Sequence, residues 1–390
     1  MPRHPQLSPT TSTLSSTVFS DLVKKAKERE GPIFPLHVGD TYREPLEAAR
    51  AERQLTAEHP RLHNYAPVQG EPELLDAIVA RMKERTGIER DRKQVQVMSG
   101  ATAGLSVVAA TILSPGDEVL LPAPFWPLIR GIIASRGATP VQVPFLDRIG
   151  SKGFDPEAEL ERRVTDRTVA LYVNTPSNPT GRIIPSDVID AMVKVAKRHD
   201  LWVVCDEAYE ELWFGDEGPA PVWARGDLRD RAVAAHTLSK SYGLAGARVG
   251  WTHGPEGVMK AIRGAQTFMT YCSPRPMQFG AVHALRDGDG WLAEARRDYR
   301  KAGDAAADVL GIERPAGGTF LFFDAGPYLP DDADSCMPFL ERCIEAGVLL
   351  TPGASCGEDY ARWVRLCFTS VPMDELERAL GALQPLVAKG

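Results

Sequence analysis

A lysine follows a predicted strand in a setting that is unusual for a surface side chain. Lys240 ends the segment Thr237-Leu238-Ser239-Lys240, although an isolated lysine is most often solvated. Desolvation and a nearby cation such as Arg248 would lower the pKa of the amine, which makes it nucleophilic and able to form a Schiff base. The hydroxyls of Thr237 and Ser239 could bond a phosphate. Lys240 is therefore the first candidate for a reactive group.

A carboxylate ends another predicted strand. The apolar run Val203-Val204-Cys205 stops abruptly at Asp206 and Glu207. Asp206 could cap a helix N-terminus, as many such residues do. It could instead be a buried carboxylate that faces a cationic ligand such as a pyridinium nitrogen, which it would keep protonated. We expect Glu207 and Glu210 to be helix-start and surface charges.

Two further loops follow predicted strands and offer hydrogen-bond donors. The loop from Asn174 to Gly181 is rich in turn residues, but the amide of Asn178 could also bond a phenolate-type oxygen. In Ser99-Gly100-Ala101-Thr102 a helix begins, and its backbone N–H groups could bind phosphate; a plain helix start is the alternative. The sequence contains neither G-x-G-x-x-G nor G-K-[ST], which disfavours a dehydrogenase that uses a dinucleotide.

An aromatic ring and an arginine complete the candidate residues. Trp126 follows the strand predicted near Leu120, where a ring is more often part of the core than a stacking platform. Arg365 lies inside an apolar strand, and a buried arginine needs an anionic partner. That partner could be a structural carboxylate. It could also be the carboxylate of a substrate, bound by two parallel hydrogen bonds from the forked guanidinium.

Strands alternate with helices from about residue 70 to 290. This alternation predicts an α/β domain with a mostly parallel sheet and helices on both faces. Such sheets bind ligands at the carboxyl ends of their strands, which is where the candidate residues fall. Within this block a helix is predicted over Trp126 to Arg136, and a long helix over Trp291 to Leu310 leaves the block. Beyond it, a smaller α+β unit is predicted, with which a first helix over Val18 to Glu30 is expected to pack; its elements are strands over Thr319 to Phe323, Val348 to Thr351 and Val364 to Phe368 and helices over Met337 to Ala346 and Met373 to Val387. The predicted organisation is an N-terminal arm (1–15), a large domain (41–290) and a small α+β domain (16–40 with 291–390).

The composition is ordinary for a soluble globular protein. The chain has 390 residues, of which 43% are hydrophobic and 25% charged, and its net charge is -7. A mildly acidic chain argues against nucleic-acid and anionic-membrane partners. The sequence has no apolar run near the roughly 20 residues of a membrane-spanning helix and no signal-peptide core, so we expect a cytoplasmic protein. The scattered cysteines, without a C-x-x-C pair, predict neither a disulfide framework nor a structural metal site.

Taken together and in this order, the motifs resemble those of the class I/II aminotransferases, which are fold-type I enzymes that use pyridoxal 5'-phosphate (PLP). The resemblance covers the chain from about residue 16 to its end. It implies a mostly parallel, seven-stranded sheet flanked by helices in a large domain, together with a small α+β domain. The matching segments are Asn64-Tyr65-x-Pro-x-x-Gly70, Ser99-Gly100-Ala101-Thr102, Asn174-x-Pro-x-Asn178-Pro-Thr-Gly181, Asp206-Glu-x-Tyr209, Ser239-Lys240 with Arg248, and Arg365.

The resemblance implies catalytic and cofactor-binding roles for residues of this chain. Lys240 would form the Schiff base with PLP and later move a proton between the substrate and the cofactor. Asp206 would bond the pyridine nitrogen, and the ring could then accept electrons. Asn178 and Tyr209 would bond the phenolic oxygen, and Trp126 would stack on the ring.

The same resemblance implies how the phosphate and the substrate are held. Arg365 would grip the α-carboxylate of the substrate, with Gly39 and Asn178 nearby. Tyr65 would reach the phosphate of the neighbouring subunit, which implies a homodimer with shared active sites. The phosphate would lie among Gly100, Ala101, Thr102, Thr237, Ser239 and Arg248.

The implied activity is amino transfer from an L-amino acid to a 2-oxo acid. Other PLP reactions on this fold, namely β-elimination, cyclisation, decarboxylation and oxidation, keep the same cofactor residues and stay open. A non-catalytic regulatory relative is disfavoured, because Lys240 is present and the chain is acidic. Phe268 matches the position where aspartate-specific members carry a substrate-binding arginine, so dicarboxylate specificity is not predicted. With Phe125, Trp126 and Tyr271, Phe268 favours a bulky or apolar substrate side chain.

Overall fold

The structure, a computed structural model, describes residues 6–12, 14 and 20–388. The described part of the predicted arm contains turns. The first helix, α1 (Ser20–Glu28), ends two residues before the predicted end at Glu30. The predicted start of this helix, at Val18, lies outside the described residues.

One large sheet forms the centre of the molecule. Within the described chain its strands are β1 (Val95–Met98), β2 (Glu118–Ala123), β3 (Thr139–Pro144), β4 (Thr168–Asn174), β5 (Trp202–Asp206), β6 (Ala232–Thr237) and β7 (Gly250–His253). They lie in the order β1-β7-β6-β5-β4-β2-β3, and each neighbouring pair is parallel except the pairs that contain β7. The mostly parallel, seven-stranded sheet of the prediction is thus confirmed in the described residues.

Helices cover both faces of this sheet. They are α2 (Pro72–Thr86), α3 (Ala101–Ile112), α4 (Leu128–Ala134), α5 (Pro156–Glu161), α6 (Ser186–Arg198), α7 (Glu256–Met269) and α8 (Arg275–Asp287). Side chains of a strand point alternately to its two faces. Leu121 and Tyr172 therefore pack with α3, α4 and α7, whereas Leu120 and Leu171 pack with α2, α6 and α8. Because both faces are covered, the strands are apolar almost throughout.

The carboxyl ends of several strands meet at one edge of the sheet. β1 and β6 are each antiparallel to β7, so they run in the same direction as β2, β4 and β5. The ends of these strands and the loops that follow them carry Gly100, Trp126, Asn178, Asp206 and Lys240. The strand directions alone therefore bring candidates from distant parts of the sequence close together.

A smaller antiparallel sheet lies in the C-terminal part of the chain. In the described residues it has the order β8-β10-β9, with β8 (Phe320–Asp324), β9 (Thr351–Pro352) and β10 (Trp363–Cys367). The helices of this part are α9 (Asp289–Leu310), α10 (Met337–Glu345) and α11 (Met373–Val387). α1 packs on α10, and α9 packs on α11, which places the N-terminal helix with the C-terminal elements.

Two predicted elements differ from the structure, and two helices of the described chain were not predicted. The strand predicted over Val348 to Thr351 is a two-residue strand, Thr351–Pro352, preceded by a single bridge between Phe34 and Val348. The helix predicted from Trp126 begins at Leu128, because Pro127 sets the first turn. α7 and α8 have no counterpart among the predicted elements, and α7 contains two glycines that weaken its helix propensity. Their apolar faces pack on the rest of the large domain, and this tertiary packing stabilises them.

The carboxylates after Asp206 are buried, which corrects the prediction that they are helix-start and surface charges. Glu207 is 3% exposed and Glu210 7%. Glu210 pairs with the Arg85 guanidinium and accepts a hydrogen bond from His236 Nδ1 at 2.5 Å. Burial alone would raise the pKa of Glu210, but His236 and Arg85 outweigh it and hold the pKa at about 2. Partners from α2 and β6 thus allow a charge to lie inside the molecule.

Loss of Arg85 should destabilise the fold far more than loss of an exposed arginine. The Arg85→Ala variant leaves the buried charge of Glu210 without its cation, which costs about 3–5 kcal/mol in comparable pairs. The matched control is Arg92→Ala, whose partner Asp76 lies at the surface with a side chain that is 51% exposed. Such surface pairs contribute less than about 1 kcal/mol. Urea unfolding followed by circular dichroism measures both; equal midpoints for the two variants would contradict the buried pair.

Candidate active site

A cavity of about 230 Å³ opens at the edge where the strands end. Its lining combines residues of the large sheet's loops with Phe320 and Arg365 from the smaller sheet. It therefore lies between the two sheets. The predicted site residues that line it are Gly39, Ala101, Thr102, Trp126, Asn178, Asp206, Tyr209, Thr237, Ser239, Lys240, Arg248 and Arg365.

Lys240 is largely buried, and its amine points across the cavity. Nζ donates a hydrogen bond to the carbonyl of Gly39. Burial lowers the pKa of Lys240; Arg248 and Arg365 add to this shift, while Asp40 and Cys367 oppose it. A lowered pKa raises the fraction of neutral, nucleophilic amine at neutral pH. Gly39 has no room for a side chain, because a Cβ there would lie 2.5 Å from the ring of Phe320.

Asp206 is a buried carboxylate rather than the cap of a helix. The chain after it makes turns, so the alternative of a helix N-cap is wrong. Oδ2 accepts a hydrogen bond from the hydroxyl of Tyr172 at 2.6 Å, and Oδ1 accepts one from the backbone of Ala208 at 3.2 Å. Burial raises the pKa of Asp206 to about 6, against the effects of these two donors and of His236. The site therefore favours a cationic partner for Asp206.

Arg365 lies at the opposite side of the cavity and is 5% exposed. Its guanidinium donates to Asn178 Oδ1 at 3.0 Å and to the His37 carbonyl at 3.1 Å, and it lies 4.3 Å from the ring centre of Phe320. Within the described residues, Arg365 forms no ion pair, and its buried Nε has no hydrogen-bond partner. The structural carboxylate that was one of the two expected partners of Arg365 is thus absent from the described chain. A buried guanidinium without a carboxylate partner in the described chain suits an anionic ligand.

Asn178 and Tyr209 form a polar pair beside this arginine. Asn178 Nδ2 donates to the hydroxyl of Tyr209 at 3.3 Å, and both side chains are buried. Burial raises the pKa of Tyr209, so the phenol stays protonated and can donate to a ligand oxygen. The pair thus offers hydrogen-bond donors in the same cavity as the amine of Lys240.

The helix N-terminus and two hydroxyls form a cluster suited to phosphate. Backbone N–H groups at the start of α3 lack helical partners, and the Thr237 and Ser239 hydroxyls lie 2.8 Å apart. The guanidinium of Arg248, which donates to the Ser99 carbonyl at 3.2 Å, closes the cluster. Gly100 does not line the cavity but lets this arginine approach, because a Cβ there would lie 2.8 Å from Nη2.

These groups fit the polar atoms of PLP. The cluster at α3 matches the phosphate, Asp206 matches a protonated ring nitrogen, and Asn178 with Tyr209 matches the phenolic oxygen. Lys240 provides the amine for the aldehyde carbon. The buried and unmatched charges of Asp206 and Arg365 are the strongest part of this fit, because each needs an opposite charge that the described chain does not provide.

Some predicted residues lie outside this cavity. Tyr65 is 81% exposed and lines a second, shallower depression together with Ser99. Among the aromatic residues expected at the substrate, Phe125 is buried in the core, while Phe268 is 93% exposed and Tyr271 46%. Only Trp126 of those four lines the cavity in the described structure.

Two aromatic residues of the site were missed in the sequence, as were the cavity-lining residues Leu105, Ala208 and Ala245. Phe320 lines the cavity, and Tyr172 bonds Asp206. Both lie in apolar strands, where an aromatic residue ordinarily indicates core packing. The hydroxyl of Tyr172 was a weak signal, because a buried phenol usually has a hydrogen-bond partner.

The described residues contain no helix that is long and apolar enough to cross a membrane. In the same part of the chain, no group of three or more His, Cys, Asp or Glu residues could hold a metal ion.

Comparisons with known proteins agree with this geometry. The family model "Aminotransferase class I and II" matches residues 32–383. A probable aspartate/prephenate aminotransferase of Thermus aquaticus is 33% identical over 299 residues, which cover 74% of this chain and 75% of that protein. An arginine–pyruvate transaminase of Pseudomonas aeruginosa is 33% identical over 311 residues, or 78% and 77% of the two chains.

Solved structures show the same fold. The aspartate aminotransferase of Thermus thermophilus with maleate superimposes with a TM-score of 0.87 at 27% identity, covering 98% of this chain and 100% of that one. The N-succinyldiaminopimelate aminotransferase of Mycobacterium tuberculosis gives a TM-score of 0.88 at 26% identity, with the same coverage. The chain therefore belongs to the class I and II aminotransferases and is a PLP-dependent transaminase of fold type I.

Proposed function

We propose that this enzyme moves an amino group from an L-amino acid to a 2-oxo acid, with Lys240 as the residue that binds PLP covalently. The observation that carries this proposal is the buried Arg365 fork, which lacks an anion within the described chain and shares one cavity with Lys240 and Asp206. Both substrates of a transaminase carry a carboxylate next to the reacting carbon. An arginine fixed near the reactive amine would bind that carboxylate in either substrate.

The cofactor residues have separate tasks in this proposal. Bound PLP supplies a ring that accepts the electron pair of the α-carbon. Asp206 keeps the ring nitrogen protonated, while Asn178 and Tyr209 donate towards the phenolic oxygen. Trp126 covers the ring, and the α3 N-terminus and Arg248 hold the phosphate. Burial of Asp206, Asn178 and Tyr209 supports their roles, because electrostatic interactions are stronger where water is excluded.

Lys240 is proposed to move the proton. With PLP bound, the amine of Lys240 would take up the proton from the α-carbon of the amino acid and would later return it to the cofactor. A base must be largely neutral to do this near neutral pH. The lowered pKa of Lys240, caused first by burial and then by Arg248 and Arg365, supports this role.

Arg365 is proposed to orient the substrate. Asn178 and the His37 carbonyl hold its guanidinium in place, so the fork costs little conformational entropy when a carboxylate binds. This arrangement would place the α-carbon near Lys240 for donor and acceptor alike. Because Arg365 binds only the α-carboxylate, it does not select among substrates by their side chains.

We also propose a homodimer with shared active sites. Tyr65, Phe268, Met269 and Tyr271 are exposed apolar side chains, and the ring centres of Tyr65 and Tyr271 lie 5.1 Å apart. The depression that Tyr65 lines also contains Ser99, whose carbonyl binds Arg248 of the cavity. This surface therefore adjoins the proposed phosphate site, where a second subunit could add the hydroxyl of its own Tyr65.

Two further inferences stay predictions. The division into residues 41–290 and residues 16–40 with 291–390 is supported by the separate sheets and by the packing of α1 on α10. The cytoplasmic location rests on the sequence argument alone.

The reaction is tested by mixing the PLP-loaded enzyme with single amino acids and no oxo acid. We expect the aldehyde form of the cofactor to convert to its amine form while one equivalent of oxo acid appears. Lys240→Ala should abolish turnover but still bind PLP, because the other cofactor groups remain. The matched control is Lys260→Ala on the exposed face of α7. Release of ammonia, carbon dioxide, peroxide or a cyclised product with the aldehyde form persisting would instead assign another PLP reaction.

The role of Arg365 is tested with Arg365→Lys, which keeps the charge but loses the fork. Loss of one charge-assisted hydrogen bond should raise KM for amino acid and oxo acid by on the order of tenfold to a hundredfold. Steady-state kinetics with both substrates measures the change. Arg362→Lys, an exposed neighbour just before β10, is the control and should leave KM unchanged. Unaltered KM values in Arg365→Lys would refute the carboxylate site.

Shared active sites predict complementation between two defective variants. In a mixed dimer of Lys240→Ala and Tyr65→Ala, one site has Lys240 from one subunit and Tyr65 from the other. Random association should restore about a quarter of the wild-type activity, since half of the dimers are mixed and each has one complete site. A mixture of Lys240→Ala and Asp206→Ala is the control and should stay inactive. A monomer by sedimentation velocity, or no recovery in the first mixture, would exclude the shared site.

A further inference from the structure

Asp206 receives a hydrogen bond from a strand residue that lies outside the cavity. Tyr172 stands on β4 beside β5, and its hydroxyl donates to Asp206 Oδ2 at 2.6 Å. Both side chains are buried, with Tyr172 2% and Asp206 4% exposed. The bond from the backbone of Ala208, at 3.2 Å, is longer. The bond from the Tyr172 phenol is thus the shorter of the two hydrogen bonds that the described chain makes to this carboxylate.

The phenol acts on the charge of Asp206. A carboxylate that lacks donors in an apolar site takes up a proton. Burial raises the pKa of Asp206 to about 6, and the Tyr172 bond is the largest of the effects that oppose this rise. Tyr172 itself stays protonated, because burial and then the charge of Asp206 raise the pKa of its phenol well above the usual value.

The surroundings of Asp206 provide little else that could replace this donor. α3 packs on the same face and contains no titratable residue. His236 influences Asp206 from β6, but its Nδ1 is bonded to Glu210. Among the described residues, the titratable groups that interact with Asp206 are Tyr172, Cys205, Glu207, Tyr209 and His236. The cationic side chains that line the same cavity are Lys240, Arg248 and Arg365.

We propose that Tyr172 is a positioning residue whose hydroxyl keeps Asp206 ionised and oriented, so that the carboxylate can bind the protonated ring nitrogen of PLP. The proposal rests on the role proposed for Asp206. Tyr172 does not line the cavity and acts only through its neighbour. Its loss should therefore change cofactor affinity in a way that depends on pH.

The test measures the dissociation constant of PLP from the apoenzyme between pH 5 and pH 8.5 in four proteins. They are the wild type, Tyr172→Phe, Asp206→Asn and the double variant. In the wild type, affinity should fall as the pH drops through the pKa of Asp206, about 6. In Tyr172→Phe this midpoint should move up by about one pKa unit, since a hydrogen bond to a charged group is lost. Free PLP ionises in the same way in the assays of all four proteins. A difference between two pH profiles therefore reports on the protein.

Asp206→Asn removes the ionisable group, so the added Tyr172→Phe change should produce no further shift of the midpoint. Tyr360→Phe is the matched control, because it deletes another buried phenol that binds a carboxylate, Asp147, at 2.9 Å. Its profile should match the wild type. Circular dichroism and urea midpoints establish that each variant folds.

The outcomes separate this proposal from the proposed function. Profiles of Tyr172→Phe and wild type that superimpose would overturn the role of Tyr172. The same conclusion follows if Tyr172→Phe weakens PLP binding by the same factor at every pH, both in the wild-type background and in the Asp206→Asn background. The role of Tyr172 would then be structural packing. Failure of the wild type to bind PLP would instead refute the cofactor site itself.

Discussion

Burial of a carboxylate at the end of β5 is the constraint on which the site depends. Asp206 lies where water is largely excluded, and its negative charge is favourable only if donors and a cation surround it. The described chain supplies donors from Tyr172 and Ala208 but no cation in contact with the carboxylate. A protonated heterocycle meets that need, and this explains why the cavity suits PLP rather than a neutral ligand.

On the other side of the cavity, Arg365 is a buried cation that likewise lacks an oppositely charged partner in the described residues. Arg365 is held by Asn178 and by a carbonyl, and Phe320 lies against its guanidinium, yet it has no carboxylate partner in the described residues. The cavity thus has an unmatched anion and an unmatched cation, with Lys240 on the same lining. A cofactor and a substrate of opposite local charge would satisfy both groups, and the amine between them would be where the chemistry occurs.

Beneath the site, a buried cluster of charges stabilises the turn that carries Tyr209. Glu210 binds Arg85 of α2 and His236 of β6, and Arg85 also donates to the Glu210 carbonyl at 3.0 Å. These bonds join a helix, a strand and a loop on the side of the sheet away from the cavity. They fix the backbone after Asp206, so the phenol of Tyr209 has a defined position.

Local sequence patterns were enough to predict the mostly parallel sheet and most of the polar residues that line the cavity. Apolar runs that stop at Asp206 and at Lys240 are local signals, and parallel strands bring their ends together whatever the details of packing. The burial of Glu210 could not be predicted in this way, because it depends on Arg85 and His236, which are distant in sequence and meet Glu210 only in the folded chain. The hydrogen bond from Tyr172 to Asp206 was equally hidden, because a tyrosine in an apolar strand ordinarily indicates core packing. The register between β4 and β5 brings the two side chains together.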